Sequence, residues 1–448
     1  MNDLQTPLFS RRALLHLMAP LIVQLIFTAL MGTADTMMVA RVGDAAVSGV
    51  SLVDAVNNLM LMVLTATATG GTIVCAQFLG AEDRAGANNA ARQVLLSVTV
   101  ISLVCCIACV GLRRPLLGLI FGRVEAAVME ASEVYFLITA LSYPFFGVFG
   151  ASSALYNAAG ETLKPTLVSA AGNLLNILGN ALFLFVFRWG VAGAALSTTL
   201  SRVVQCGAIL ILHRRPGQAI VLNRYCSIRP DWRLIKTILR VGIPTGVENG
   251  MFQLGRLMVQ STVALLTTPE IAAQAMINTL EYFTSMPSMA VGMGLVTVAG
   301  QCMGAGRPRE AKRNTIRLTL WSEVLVIATG ILIFVSVGPV CRLSGLSEES
   351  AAIVTRIMGL ITLVKPFVWP LAFTPANAMR AAGDVRYSML VSAGSMWVFR
   401  VTLCVILIRF LGFGVLGVWI AMFVDWADRA VWYTVRFVRG KWTRQHVL

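Results

Sequence analysis

The sequence predicts an all-α integral membrane protein. Twelve transmembrane helices form two six-helix lobes, related as a parallel repeat, with a central cleft between them. Three observations predict this. Only 13% of the 448 residues are charged and 57% are apolar, with a mean hydropathy of +0.77; soluble domains are about one quarter charged. The apolar residues gather in stretches long enough to cross the hydrocarbon core, which takes about 20 helical residues. The second half of the chain repeats the first. A membrane β-barrel would show short alternating segments, which are not found here.

The first stretch, 13–40, holds no acid, Lys or Arg from 13 to 34, then carries Asp35, with Arg41 the next charge. It runs far beyond the apolar core of a signal peptide and lacks an A-x-A exit, so no cleavable signal is expected. A charged acid at mid-membrane costs about 2.5–3.5 kcal/mol on insertion scales and such residues mark ion pathways. The competing reading is a carboxylate near the outer end of its span, but Arg41 at i+6 is poorly spaced to pair with it. The stretch 46–78 carries Asp54. The stretch 93–112 contains 105-CCIAC-109, whose Cys106 and Cys109 make a formal C-x-x-C. Small apolar packing is the better reading there than metal binding, and the nine cysteines, mostly within spans, form no disulfide framework. His16, His213 and His446 sit at or beyond span ends, which leaves no intramembrane His site.

The fourth stretch, 130–157, ends at Asn157, a candidate for the cleft lining. The fifth, 165–187, contains 173-NLLNILGNALF-183. Asn173, Asn176 and Asn180 fall at i, i+3 and i+7, which places three carboxamides on one helix face pointing into the bundle. They serve either as glue between helices or as oxygen donors to a small cation. The sixth stretch, 191–213, closes the first half. In the seventh, 234–264, Glu248 and Asn249 follow Pro244 by one turn, and Arg256 lies two turns further on. Asn173, Glu248, Asn249 and Arg256 join Asn157 as candidates to line a substrate cleft. The remaining stretches are 271–303, 316–340, 350–379, 387–408 and 414–435. Asp54, Glu281, Glu323, Lys365, Arg400 and Asp425 are expected to pair structurally, Asp425 with Arg429 at i+4.

The segment 70-GGTIVCAQFLGAEDRAGANNAARQ-93 lies against 294-GLVTVAGQCMGAGRPREAKRNTIR-317 at an offset of 224. Further matches, 158-AAGE against 381-AAGD and 190-GVAGAAL against 414-GVLGVWI, keep the same order at offsets of 223–224. Each half holds six spans, an even number, so both enter the membrane in the same sense, an arrangement typical of transporters. The expected division is an N-lobe over 1–213, a basic cytoplasmic linker over 214–233 and a C-lobe over 234–448. The net charge of +15 concentrates on one side. Arg11, Arg12, Arg84, Arg92 and the 214–233 segment belong to that side, while the other holds only residues such as Arg41, Arg123 and Arg188. That asymmetry puts both termini in the cytoplasm and reports topology and lipid contact, not nucleic acid.

The runs MGTADTMMVARVGDAAVSG, AQFLGAEDRAGANNAARQ with its partner GQCMGAGRPREAKRN, the AAGE/AAGD pair and the closing RFVRGKW resemble the multidrug and toxic compound extrusion (MATE) family along essentially the whole chain. The resemblance implies a secondary antiporter of the cell inner membrane that exports organic, often cationic compounds in exchange for protons or sodium ions by alternating access. It implies a coupling site at Asp35, Asn176 and Thr198. Asn180 stands where many members carry a second acid, which favours H+ over Na+ as the coupling ion. The C-lobe acid on the tenth span of another branch is missing, with Lys365 and Pro366 there instead. Small-molecule substrates, membrane lipids, a monomeric state and no cofactor are expected. The competing readings are a lipid-linked precursor flippase, for which Arg202, Arg256, Lys365 and Arg400 would supply cationic groups, and an intramembrane transferase, for which no His–Asp pair or acidic metal motif is present.

Overall fold

The computed structural model describes residues 7–122, 125–215, 217–222 and 229–444. Arg123, part of the expected 214–233 linker and His446 lie outside the described residues, as do both chain ends. The described residues are helical apart from short connections, with no strand among them.

Eight helices build the first half: α1 (Arg11–Ala40), α2 (Asp44–Gly80), α3 (Arg84–Gly111), the short α4 (Arg113–Phe121), α5 (Ala126–Leu141), α6 (Tyr143–Ala158), α7 (Leu163–Asn180) and α8 (Gly190–His213). Seven build the second: α9 (Trp232–Val263), α10 (Thr268–Gly304), α11 (Pro308–Leu343), α12 (Glu348–Ala381), α13 (Val385–Ser395), α14 (Leu403–Arg409) and α15 (Gly414–Val438). Among the described residues, nine helical segments are long and apolar enough to cross a membrane, and α5 with α6 forms a tenth span bent by 46°. The fourth stretch, expected as one helix, is broken there because Pro144 at the start of α6 has no N–H to continue the ladder. The other two spans, α9 and α15, carry their charges inside the helix: Glu248 and Arg256 in one, Asp425, Asp428 and Arg429 in the other.

Local chemistry explains where the rods begin and end. Asp83 caps α3 by accepting from Gly86 N at 2.8 Å. Thr267 and Glu270 close a capping box at the head of α10, and Ser347 Oγ accepts from Ser350 N at 3.2 Å to start α12. The repeated AAGE/AAGD motif is a helix stop. Gly160 and Gly383 both have positive φ, 80° and 99°. After each, the next residue closes the same turn, Glu161 N donating to Tyr156 O at 3.0 Å and Asp384 N to Met379 O at 2.9 Å. Gly383→Ala is therefore expected to destabilise the protein by roughly 1–2 kcal/mol, read as a lower unfolding midpoint of the purified protein.

The chain divides into two compact units. One runs from Arg11 to Gly246, and the other begins at Val247 and takes in residues 7–10. The division thus falls inside α9, not in the basic 214–233 segment. The reason is a backbone-to-backbone contact. A Cβ on Gly70 would meet Ile238 O at 2.5 Å, and one on Gly242 would meet Ala66 O at 3.0 Å, so the first turns of α9 lie directly on α2. Within the first unit α2 packs on α3, α5 and α6, while α7 lies between α1 and α8. In the second unit α10, α11 and α12 pack on one another, and α15 on α12, α13 and α14. The two halves share one more irregularity. A π-helical turn follows α7 at Ala181–Val186 and another joins α13 to α14 at Met396–Thr402. Such turns re-aim side chains within a helix and recur at functional sites.

Candidate functional site

The first unit brings the four expected coupling residues together. Asp35 is half-buried on α1. Asn176 and Asn180, 0% and 1% exposed, face it from α7. Asn180 Nδ2 donates to Asp35 Oδ1 at 2.6 Å. With its NH2 turned to α1, the Asn176 carboxamide donates to Asp35 Oδ1 at 2.7 Å, and its oxygen accepts from Thr198 Oγ1 on α8 at 3.2 Å. Gly179 permits this close approach of α7 and α8, because a Cβ there would lie 2.4 Å from Ser197 Oγ. Ser197 Oγ itself donates to Asn176 O at 2.7 Å, which holds the two helices in register. Asn173, also buried, leaves its Nδ2 without a hydrogen bond.

Asn180 leaves the coupling site without the second acid that many MATE members carry there, yet Asp35 has an acid for a neighbour. Asp54 on α2 is close enough for its charge to act on Asp35, and the Arg202 guanidinium on α8 acts on both. Asp54 makes no ion pair among the described residues, contrary to the expected structural pairing. It accepts long hydrogen bonds from Asn57 Nδ2 at 3.4 Å and Tyr135 OH at 3.5 Å. Tyr143 OH donates to Asn57 Oδ1 at 2.7 Å, and Arg202 Nη1 to Ser142 Oγ at 2.6 Å. The interior of this unit therefore holds two carboxylates, Asp35 among amides and Asp54 between an amide and a phenol, with the Arg202 guanidinium within charge range of both. Asp54 gave the same signal as Asp35, an acid inside an apolar stretch. Nothing in the spacing of Asn57, Tyr135 and Arg202 announced that they would meet it.

The cleft candidates of the second half have separate surroundings. Glu248 is buried and accepts from Arg380 Nη2 at 2.6 Å, while Arg380 also donates to Asn377 Oδ1 at 2.9 Å and Ser388 Oγ at 3.1 Å. Arg256 is exposed and Asn249 half-buried. In the first half, Asn157 is half-buried near the end of α6. Two buried ion clusters appear that pairwise spacing did not reveal. Lys365 Nζ, 1% exposed, donates to Glu281 Oε1, Thr284 Oγ1 and Ser285 Oγ, each at 2.6 Å. Asp425 joins not only Arg429 at 2.8 Å, the expected i+4 partner, but also Arg400 at 2.5 Å. Glu323 is half-buried on α11. No group of three or more His, Cys, Asp or Glu able to hold a metal occurs among the described residues.

Comparison with known proteins places this architecture. The "Probable multidrug resistance protein NorM" of Thermotoga maritima is 27% identical over 447 residues, 98% of this chain and 94% of its own. A NorM protein of Pseudomonas aeruginosa is 27% identical, over 95% of this chain and 88% of its own. The rabbit (Oryctolagus cuniculus) "Multidrug and toxin extrusion protein 1" is 22% identical over 78% of this chain and 62% of its own. A solved "outward-facing conformation of a multidrug resistance MATE family transporter of the MOP superfamily" superposes with a TM-score of 0.89 at 18% identity, covering 96% of each chain. The MatE family model matches twice, over residues 20–182 and 244–406, once in each half and at the offset that the internal repeat shows. Those two matches span most of the sequence, and the chain belongs to the MatE family of membrane transporters.

Proposed function

We propose that this transporter is an antiporter that exports organic cations in exchange for protons, with Asp35 carrying the proton. The observation that supports this most is the pair of carboxamides on Asp35. A carboxamide is both donor and acceptor. With NH2 toward α1, Asn176 and Asn180 stabilise the carboxylate. Turned about, the Asn176 oxygen occupies the place beside Asp35 where a protonated acid would donate. Both protonation states of Asp35 thus find hydrogen-bond partners without a helix moving. A sodium ion would instead need the amide oxygens turned toward it, with Asp35 the one acid in contact with both carboxamides.

Charge supplies the exchange. Asp35, Asp54 and Arg202 sum to one negative charge when Asp35 is ionised and to none when it is protonated. An organic cation is favoured by the first state and released by the second, so proton and substrate compete. Protons entering from outside release substrate there, and the return to the cytoplasmic side resets the acid. The net negative interior of the first unit disfavours seating the pyrophosphate of a lipid-linked precursor beside Asp35, which argues against placing the flippase reading at this cluster. In this reading the protein sits in the inner membrane as a monomer among lipids, both termini cytoplasmic, and binds no nucleic acid.

The test is efflux of a cationic dye from proteoliposomes of the purified protein. A proton gradient imposed without sodium is expected to drive it, and a sodium gradient at equal pH on both sides is not. Sodium-driven efflux with no response to the proton gradient would replace the proton with sodium as the coupling ion.

A further inference from the structure

The second half repeats the first in helix order, yet it does not repeat the charge of the Asp35 cluster. Flanking matches run at offsets of 223–224, which sets Arg400 within one residue of the position that repeats Asn176. The sixth span repeats at 224, so Asp425 stands where the first half has Ser201, and Arg429 where it has Gln205. Where the first half gathers amides around a carboxylate, the second gathers two guanidiniums on one.

This cluster is buried. Arg400, Arg429 and Asp425 are 6%, 2% and 0% exposed. Arg400 Nη2 reaches Asp425 Oδ2 at 2.5 Å, Arg429 Nε reaches Oδ1 at 2.8 Å, and Ser395 Oγ donates to the same Oδ1 at 2.7 Å. Both guanidinium carbons lie near the Phe252 ring, 5.1 and 5.8 Å from its centroid, so the two arginines are neighbours. Each directs one arm of its fork at the carboxylate. Arg400 Nε and Arg429 Nη2 remain buried without a hydrogen-bond partner. Glu281 acts on Arg400 at longer range, but Lys365 already neutralises it at 2.6 Å. The group as a whole carries one positive charge more than negative. An unbalanced buried guanidinium with idle donors is costly inside a membrane protein, and a small anion remedies both the charge and the donors.

We infer that Arg400 and Arg429 form a binding site for a small monovalent anion, taking a halide or a carboxylate group through Arg400 Nε and Arg429 Nη2. Guanidinium forks suit either ligand. The source is an inorganic halide from solution or the carboxylate of a transported compound.

The experiment is a thermal-unfolding titration of the purified full-length protein, with chloride or benzoate replacing methanesulfonate, which is neither halide nor carboxylate, at constant ionic strength. Wild type is expected to be stabilised saturably. Response to chloride assigns the site to a halide, and response to benzoate without chloride assigns it to a carboxylate. Arg400→Gln leaves Asp425 and Arg429 as a balanced pair, so the variant is expected to fold and to need at least about tenfold more anion, the loss of one charge-assisted hydrogen bond. Asp425→Asn keeps both guanidiniums and removes their shared carboxylate, so its half-saturating anion concentration is expected to fall. Absence of a saturable response in wild type, or an unchanged half-saturating concentration in both variants, would overturn the site.

Discussion

Asp35→Asn is expected to abolish proton-driven efflux of a cationic dye while leaving a folded protein of normal yield. The side chain keeps its volume, and its amide mimics the protonated acid against Asn176 and Asn180. It no longer ionises, so the cluster with Asp54 and Arg202 stays neutral and the cation loses the charge that attracts it. Asn180→Ala should act more mildly. It deletes one donor at 2.6 Å, worth about 1.5–3 kcal/mol to a charged acceptor, and shifts the pH at which efflux is half-maximal without eliminating it. Full efflux by Asp35→Asn would remove this acid from the mechanism.

The second large effect belongs to stability. Lys365→Met is expected to destabilise the second unit by about 3–5 kcal/mol, because it strands Glu281, whose side chain is only 16% exposed, as a charge without its partner. The ammonium fills three further roles, bonding Thr284 Oγ1 and Ser285 Oγ and lying 5.5 Å from the Trp369 ring centroid. The double variant Lys365→Met/Glu281→Gln removes both charges together and is expected to recover most of the loss, since neutral replacement of a buried pair is often nearly neutral in energy. Unfolding midpoints and monodisperse yield after detergent extraction read both outcomes. A single variant as stable as wild type would show that the Lys365–Glu281 pair carries little stability.

Architecture was largely legible in the residues. Apolar length placed the spans, and the 70–93 and 294–317 segments exposed the duplication. The helix stops behind AAGE and AAGD were visible as a repeated motif before their left-handed glycines were. The site was legible in part. Asn173, Asn176 and Asn180 announced a polar face because helical spacing is a local property. Asp54 was assigned to pairing because sequence distance conceals which acid a guanidinium will approach. Lys365 and Glu281 are 84 residues apart, and Arg400 and Asp425 belong to different helices. Such pairs depend on packing that no spacing rule encodes. The 46° bend between α5 and α6 was hidden for another reason: Pro144 is compatible with a continuous apolar stretch, and only geometry shows the break.

Competition between proton and organic cation at Asp35 is the centre of this account, and proton release on substrate binding tests it most directly. Purified protein in weakly buffered detergent solution is mixed with a saturating cationic dye near the pH of half-maximal efflux, and the pH change is recorded. By linkage, wild type is expected to release a fraction of a proton per cation bound, approaching about one as the starting pH is lowered, and Asp35→Asn none. Cation binding by wild type with no proton release at any pH, or equal release from Asp35→Asn, would contradict it.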